Sequence, residues 1–216
     1  MSVIATRGKK CYLTKSGITN VELTPTAISA AKPAVITVAD TTGLTTGDLA
    51  QIKGTDFPEL DGQLFPITVI NGTTFSLVRS DTSNSSATLG SSPKATIWKR
   101  SDMSLTCINT IDITAPSTSV SAKPSWCDEE GSVPGDVTPG SFTINGYIDQ
   151  SDASYWEVTY AAEDGLTRAL DIELPNNGNL VALVNFGAIG ASITDSADYA
   201  APGTFAIPLR HRGTTP

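Results

Sequence analysis

The chain is poor in the residues that most enzymes and metal sites draw on. Among 216 residues it has one histidine, three cysteines and two methionines. His211 stands alone near the end, so zinc sites and histidine-based acid–base catalysis lack raw material. Cys11, Cys107 and Cys127 are far apart, odd in number and form no CxxC. They predict free thiols in a reducing compartment, not a disulfide framework. No apolar run approaches the roughly 18 residues that span a bilayer, so no membrane insertion is expected. The opening "MSVIATRGKKCYL" has neither an apolar leader core nor a small-residue cleavage site, and is not read as a secretory signal. P-loop, GxSxG and dinucleotide fingerprints are missing, and the expectation is a protein without catalysis, metal or cofactor.

Acidic residues are missing from both ends. Arg7, Lys9, Lys10, Lys15, Arg210 and Arg212 fall in the first 15 and last 14 residues, which hold no Asp or Glu. The ends therefore carry +6, and with a net charge of −8 the body between them carries −14. Basic arms on an acidic body suit nucleic acid or the acidic body of a neighbouring copy. The arms also carry Val3, Ile4, Phe205, Ile207 and Leu209, which favours docking over mere solubilisation.

What is abundant is β-forming sequence broken by Gly, Pro, Ser and Thr. Hydrophobic residues make up 39% and mean hydropathy is near zero, enough for a packed core. Short Val/Ile/Thr/Phe/Tyr-rich runs predict strands near 11–16, 18–23, 34–38, 48–53, 64–70, 73–78, 95–100, 104–113, 141–147, 168–174, 179–190 and 204–209. "DQSDASYWEVTYAAEDG" predicts one helix, with Ser151 or Asp152 as N-cap and Gly165 as the stop. Ala153, Trp156 and Tyr160 form its expected apolar stripe, with Trp156 and Tyr160 read as core rather than as a ligand stack. "RALDIELPNNGNLVALVNFGAIGAS" predicts a hairpin with Gly187 and Gly190 at a bulge or close backbone approach.

Residues 33–92 read as a separate unit of about five short strands with tight turns, and Asn71-Gly72 is the strongest hairpin signal in it. Asp48, Asp56, Glu59 and Asp61 lie close together there. Their spacing does not match an EF-hand loop, and they read as turn residues rather than a Ca²⁺ site. Asp171 and Glu173 alternate on one strand face, the spacing from which a glycosidase pair could be built, but no aromatic platform accompanies them. Residues 116–140 show no periodicity and read as a long loop with Trp126 in its middle, either ordering on something it binds or folded back onto its own domain, with "CDEEG" a solvated acidic run.

The order of these parts resembles a long-tailed bacteriophage (siphophage) major tail tube protein. The resemblance rests on "CYLTKSGITNVELT", "LTCINTIDITAPSTSVSAKPSWCDEEG", "GSFTINGYIDQSDASYWEVTYAAEDG" and "TRALDIELPNNGNLVALVNFGAIGA", and covers about 1–30 and 94–212. Residues 33–92 resemble a small β module recurrent in phage tail proteins, carried here by Thr42, Gly43, Leu44, Gly47, Asp48, Gly54, Glu59, Leu60, Asp61, Gly62, Phe65 and Phe75.

The resemblance implies a mainly β (α+β) fold: a tail-tube-type β-sandwich or barrel with one flanking α-helix. The core would comprise 1–32 and 93–216, with an inserted small β-barrel-like module over 33–92. It implies six subunits in a ring and rings stacked head to tail, a structural virion protein assembled in the host bacterial cytoplasm. Its partners would be the tape measure protein and the tail terminator. Phage DNA would pass through an acidic lumen without specific binding. Arg7, Lys9, Lys10, Trp126, Asp128, Glu129, Glu130, Arg210 and Arg212 are the expected inter-subunit contacts. The alternatives are a tail terminator or minor tail component, or a carbohydrate-binding adsorption module using Phe57, Phe65 or Phe75.

Overall fold

A computed structural model of the chain describes residues 2–5, 11–15, 17–18, 20–100, 103–105, 108–114, 117–123, 131–138, 140–148, 151–173, 179–187, 198–205 and 210–212. Alternating apolar residues dominate, and among the described residues the result is eighteen strands and one helix. The strands of the larger sheet are β1 (Ser2–Ala5), β2 (Cys11–Thr14), β10 (Met103–Leu105), β11 (Ile108–Thr114), β14 (Ser141–Tyr147), β15 (Arg168–Glu173), β16 (Asn179–Phe186), β17 (Asp198–Phe205) and β18 (Arg210–Arg212). They pair antiparallel in the order β1-β11-β14-β17-β16-β15-β2-β10, with β18 also on β16. A smaller sheet contains β3 (Val21–Leu23), β4 (Ala27–Ile28), β5 (Val35–Thr37), β6 (Leu49–Lys53), β7 (Leu64–Asn71), β8 (Thr74–Leu77) and β9 (Lys94–Trp98), in the order β3-β9-β6-β7-β8-β5-β4. Among the described residues β12 (Ser117–Lys123) and β13 (Gly131–Thr138) pair only with each other. The chain is thus mainly β, with one helix among the described residues, α1 (Ala153–Asp164).

Covalent reach shows that both large sheets are rolled. β3 and β4 are the two ends of the smaller sheet, yet Leu23 and Ala27 are close in sequence and can lie at most about 14 Å apart. Flat, those edges would stand about 29 Å apart. Likewise Leu105 ends β10 at one edge, and Ile108 begins β11 next to the other edge. That link reaches about 11 Å at most, far less than six flat strand spacings.

Rolling gives each sheet an inner face. In the larger sheet the alternate residues Leu13, Ile111, Phe142, Ile144, Leu170, Ile172, Ala182 and Val184 are buried together. Val158 and Ala161 of α1 join them, so the helix lies across this inner face. In the smaller sheet Ile36, Ile52, Phe65, Ile67, Phe75, Leu77 and Ile97 form a second core. β15 is buried at five successive positions because both its faces are covered. Leu170 and Ile172 point inward, while Ala169 and Asp171 meet the smaller sheet's flank.

Several expectations change. The smaller sheet runs from Val21 to Trp98, wider than 33–92 at both ends, because β3 and β9 complete the pairing of β6. The run 104–113 divides into β10 and β11, and 198–205 forms β17 although it holds Pro202 and Gly203. Residues 117–123 and 131–138, expected as loop, pair as a hairpin. Its polar Ser/Thr-rich strands give no apolar alternation to read. The helix is as expected, starting directly after Asp152 and stopping at Gly165 with φ +62°. Its stripe is not: Tyr155, Val158, Ala161 and Ala162 face the core, while Ala153 is exposed and Trp156 and Tyr160 are 39% and 44% exposed. The large aromatic rings suggested the wrong face, and small residues pack closest to the sheet. β16 ends at Phe186; Gly187 lies just past it, donating its N–H to Pro202 O at 2.9 Å. The close approach falls instead at Gly203, where a Cβ would sit 2.3 Å from the Phe142 ring. Gly190 lies outside the described residues.

Candidate functional site

The carboxylates of the smaller sheet, expected as turn residues, sit in or beside turns. Asp48 is fully buried and accepts hydrogen bonds from Thr45 N–H at 2.8 Å, the Thr45 hydroxyl at 2.9 Å and Arg100 N–H at 2.9 Å. Asp61 accepts from Thr55 N–H at 3.1 Å, and Asp56 takes the Thr88 hydroxyl. These three carboxylates thus fasten loops, while Glu59 is exposed. No group of three or more metal-ligating side chains gathers among the described residues. The Asn71-Gly72 turn is present, with Asn71 Oδ1 accepting from Thr73 N–H at 2.9 Å, an Asx turn. Phe57, Phe65 and Phe75 are all buried, so none offers a ring face to a sugar.

Asp171 and Glu173 do work together, but as ligands of one guanidinium. Arg100 follows the last strand of the smaller sheet. Its Nη2 lies 2.6 Å from Glu173 Oε1 and 3.7 Å from Asp171 Oδ2. The guanidinium sits over the Tyr12 ring at 4.3 Å, and the Tyr12 hydroxyl donates to the same Glu173 oxygen at 3.3 Å. Alternation explains the convergence: Tyr12 on β2 and Asp171 on β15 are register partners, and both point away from the larger sheet's core. Burial, with the Asp171 charge second, pushes the neighbouring Cys11 thiol far above its usual range, so it stays protonated.

Around this cluster Leu49, Leu64 and Trp98 of the smaller sheet pack on Ala169, Val181 and Leu183 of the larger. Removing a side chain such as Leu183 or Leu49 from water contributes about 1.5–3 kcal/mol, whereas a partly exposed ion pair contributes about 1 or less. Apolar burial therefore holds the two sheets together, and Arg100 sets their register. Sequence reasoning missed this junction. "RALDIEL" carries its signature, charges alternating within an apolar strand, but a second covered face is invisible without the partner residues Trp98 and Arg100.

Of the expected inter-subunit residues, Arg210 and Arg212 lie on β18, opposite Val181 and Asn179 of β16. Arg7, Lys9, Lys10, Trp126, Asp128, Glu129 and Glu130 lie outside the described residues. No helix among the described residues is long and apolar enough to cross a membrane. No protein-family model matches the chain, and no curated protein matches it in sequence.

Proposed function

We propose that the chain is a structural virion protein that assembles into stacked hexameric rings, forming a phage tail tube through which DNA passes. The observation that carries this reading is the β12–β13 hairpin, two strands of seven and eight residues that pair with no other strand among the described residues. An isolated two-stranded hairpin is marginal in water and gains stability from an added surface. A neighbouring copy supplies such a surface in every ring or stack. Among the described residues β1 and β10 end the larger sheet's path, and their outer sides offer edges for joining sheets between copies. Head-to-tail contacts of this kind do not close and so generate a filament.

In this reading the smaller sheet is an inserted module on the outer face, and the basic ends dock on acidic surfaces of the next copy. The net negative body repels phosphates, so DNA slides without sticking. The role involves no catalysis, and the tape measure and terminator proteins are the partners. Negative-stain images of the concentrated protein test it: hollow tubes of uniform width are expected. Particles that remain single at every concentration overturn it.

A further inference from the structure

Two Asn-Gly pairs lie among the described residues, Asn71-Gly72 and Asn145-Gly146, and the fold treats them in opposite ways. Asn145 and Gly146 sit within β14, between Thr110 and Ile108 of β11 on one side and Ala200 and Tyr199 of β17 on the other. Gly146 is buried. The Asn145 carboxamide is tied down through Nδ2, which donates to the Thr110 hydroxyl at 3.1 Å and to Asp112 Oδ2 at 3.0 Å.

Asn71-Gly72 stands at the tip of the β7–β8 hairpin, and Asn71, Gly72 and Thr73 are all exposed. Here the carboxamide is held by its other end. Asn71 Oδ1 accepts from the Thr73 N–H at 2.9 Å and from the Thr73 hydroxyl at 3.2 Å. The Asn71 main-chain oxygen takes the Thr41 hydroxyl at 2.7 Å, which steadies the residue. Gly72 has no side chain to screen its amide nitrogen, and a Cβ added there would meet no atom of its surroundings within 4 Å.

This arrangement meets the needs of one reaction. When a main-chain nitrogen adds to the Cγ of the asparagine before it, negative charge gathers on Oδ1. Donors already aimed at that oxygen stabilise the charge as an oxyanion hole does. The nucleophile is open to water, which supplies the base that takes its proton. At Asn145 the hydrogen bonds run from the amide nitrogen instead, and Gly146 is enclosed between strands.

We propose that Asn71-Gly72 is a self-modification site, where the asparagine amide becomes a carboxylate through a cyclic imide, with Thr73 as the oxyanion donor. Hydroxide takes the Gly72 amide proton, the nitrogen bonds to Asn71 Cγ, and the Cγ–Nδ2 bond breaks. Ammonia leaves, carrying a proton from water. Water then adds to either carbonyl of the imide. One opening gives aspartate; the other gives isoaspartate, with the main chain rerouted through Cβ and Cγ. Nothing is oxidised or reduced. Either product adds a negative charge at the hairpin tip, and isoaspartate lengthens the chain beside the pairing of Asn71 with Thr74.

The test is peptide mapping by mass spectrometry of the full-length chain, kept folded in mildly alkaline buffer beside the same chain unfolded in urea. In urea both pairs are expected to convert at similar rates. In the folded chain Asn71 converts while Asn145 stays an amide. Gly72→Ala suits the fold, because the added methyl has open space and Gly72 is not in the left-handed region. It screens the attacking nitrogen and slows conversion about tenfold, a small change in barrier. Thr73→Ala removes one donor to the oxyanion and slows conversion about fivefold, the order of one hydrogen bond. An Asn71 that stays an amide throughout overturns the proposal, as does a ratio of the two rates that is the same folded and unfolded. Conversion unchanged in Gly72→Ala means direct hydrolysis of the side chain and overturns the imide. Conversion unchanged or faster in Thr73→Ala overturns Thr73 as the oxyanion donor.

Discussion

Asp48 shows how a single side chain joins turn, strand and junction. Its two oxygens take the Thr45 N–H, the Thr45 hydroxyl and the Arg100 N–H, and the last of these sets the backbone from which Arg100 reaches Glu173. The carboxylate is wholly shielded from water, whereas Thr45 is exposed, so on losing it the Thr45 donors turn to water and the Arg100 N–H, from a half-buried residue, bears more of the loss. Hydrogen bonds to a charged group contribute about 1.5–3 kcal/mol each, and an abandoned buried donor costs about 1–3. Asp48→Ala is expected to lower stability by about 3 kcal/mol in urea unfolding. Asp48→Asn keeps the shape but turns one acceptor toward Thr45 into a donor, so it destabilises as well. If both variants unfold at the wild-type urea concentration, the turn does not depend on the carboxylate. The sequence displayed this residue in "TTGD", and its reading as a turn residue stands. That it also fastens Arg100 was illegible, because the two are far apart in the chain and meet only after β6 and β9 pair.

At the scale of elements, alternation was legible in several strands with an apolar buried face, but not in β17, where Pro202 and Gly203 interrupt it. β6, β7, β8, β14 and β15 fall within a residue or two of their expected bounds for that reason. β12 and β13 were not legible, since Ser, Thr, Lys and Pro carry no two-residue apolar period. α1 illustrates a subtler loss: its position was plain from Asp152 and Gly165, but its orientation was not. Trp156 and Tyr160 stack on the outer flank with centroids 6.2 Å apart, and the residues that touch the sheet are Val158 and Ala161. The two faces respond differently to truncation. Val158→Ala opens a gap in a fully buried site and is expected to cost about 1–2 kcal/mol. Trp156→Ala removes far more atoms from a surface position and is expected to cost less. Thermal unfolding of the pair decides it, and a larger loss for Trp156→Ala returns the helix to the orientation its aromatics suggested.

For the whole molecule, the question is where the smaller sheet can be detached. A cut at 33–92 removes β5 to β8 but leaves β3 and β9 behind as a lone two-stranded remnant, which is marginal in water. The pairing of β2 with β10 offers a better place. Thr14 and Met103 are register partners, so their Cα atoms lie about 4.5–5.5 Å apart. Everything between them leaves and re-enters the larger sheet at one point. Removing 16–101 and joining Lys15 to Asp102 through Asn-Gly makes a loop of about four residues, well within hairpin limits. The excised chain keeps its inner core intact, including Val158, Ile172 and Val184. It loses the cover over Val181 and Leu183 and the guanidinium facing Asp171. Each uncovered aliphatic costs about 1.5–3 kcal/mol. The expectation is therefore a cooperative, β-rich protein that is several kcal/mol less stable and prone to associate through the bared strand face. Changing Val181 and Leu183 to Thr should relieve the association, because that face no longer needs to be apolar. Urea unfolding followed by circular dichroism, with light scattering alongside, reads both effects. A folded 33–92 deletion beside an unfolded 16–101 deletion would reverse the argument, placing β3 and β9 with the larger sheet despite their pairing with β6.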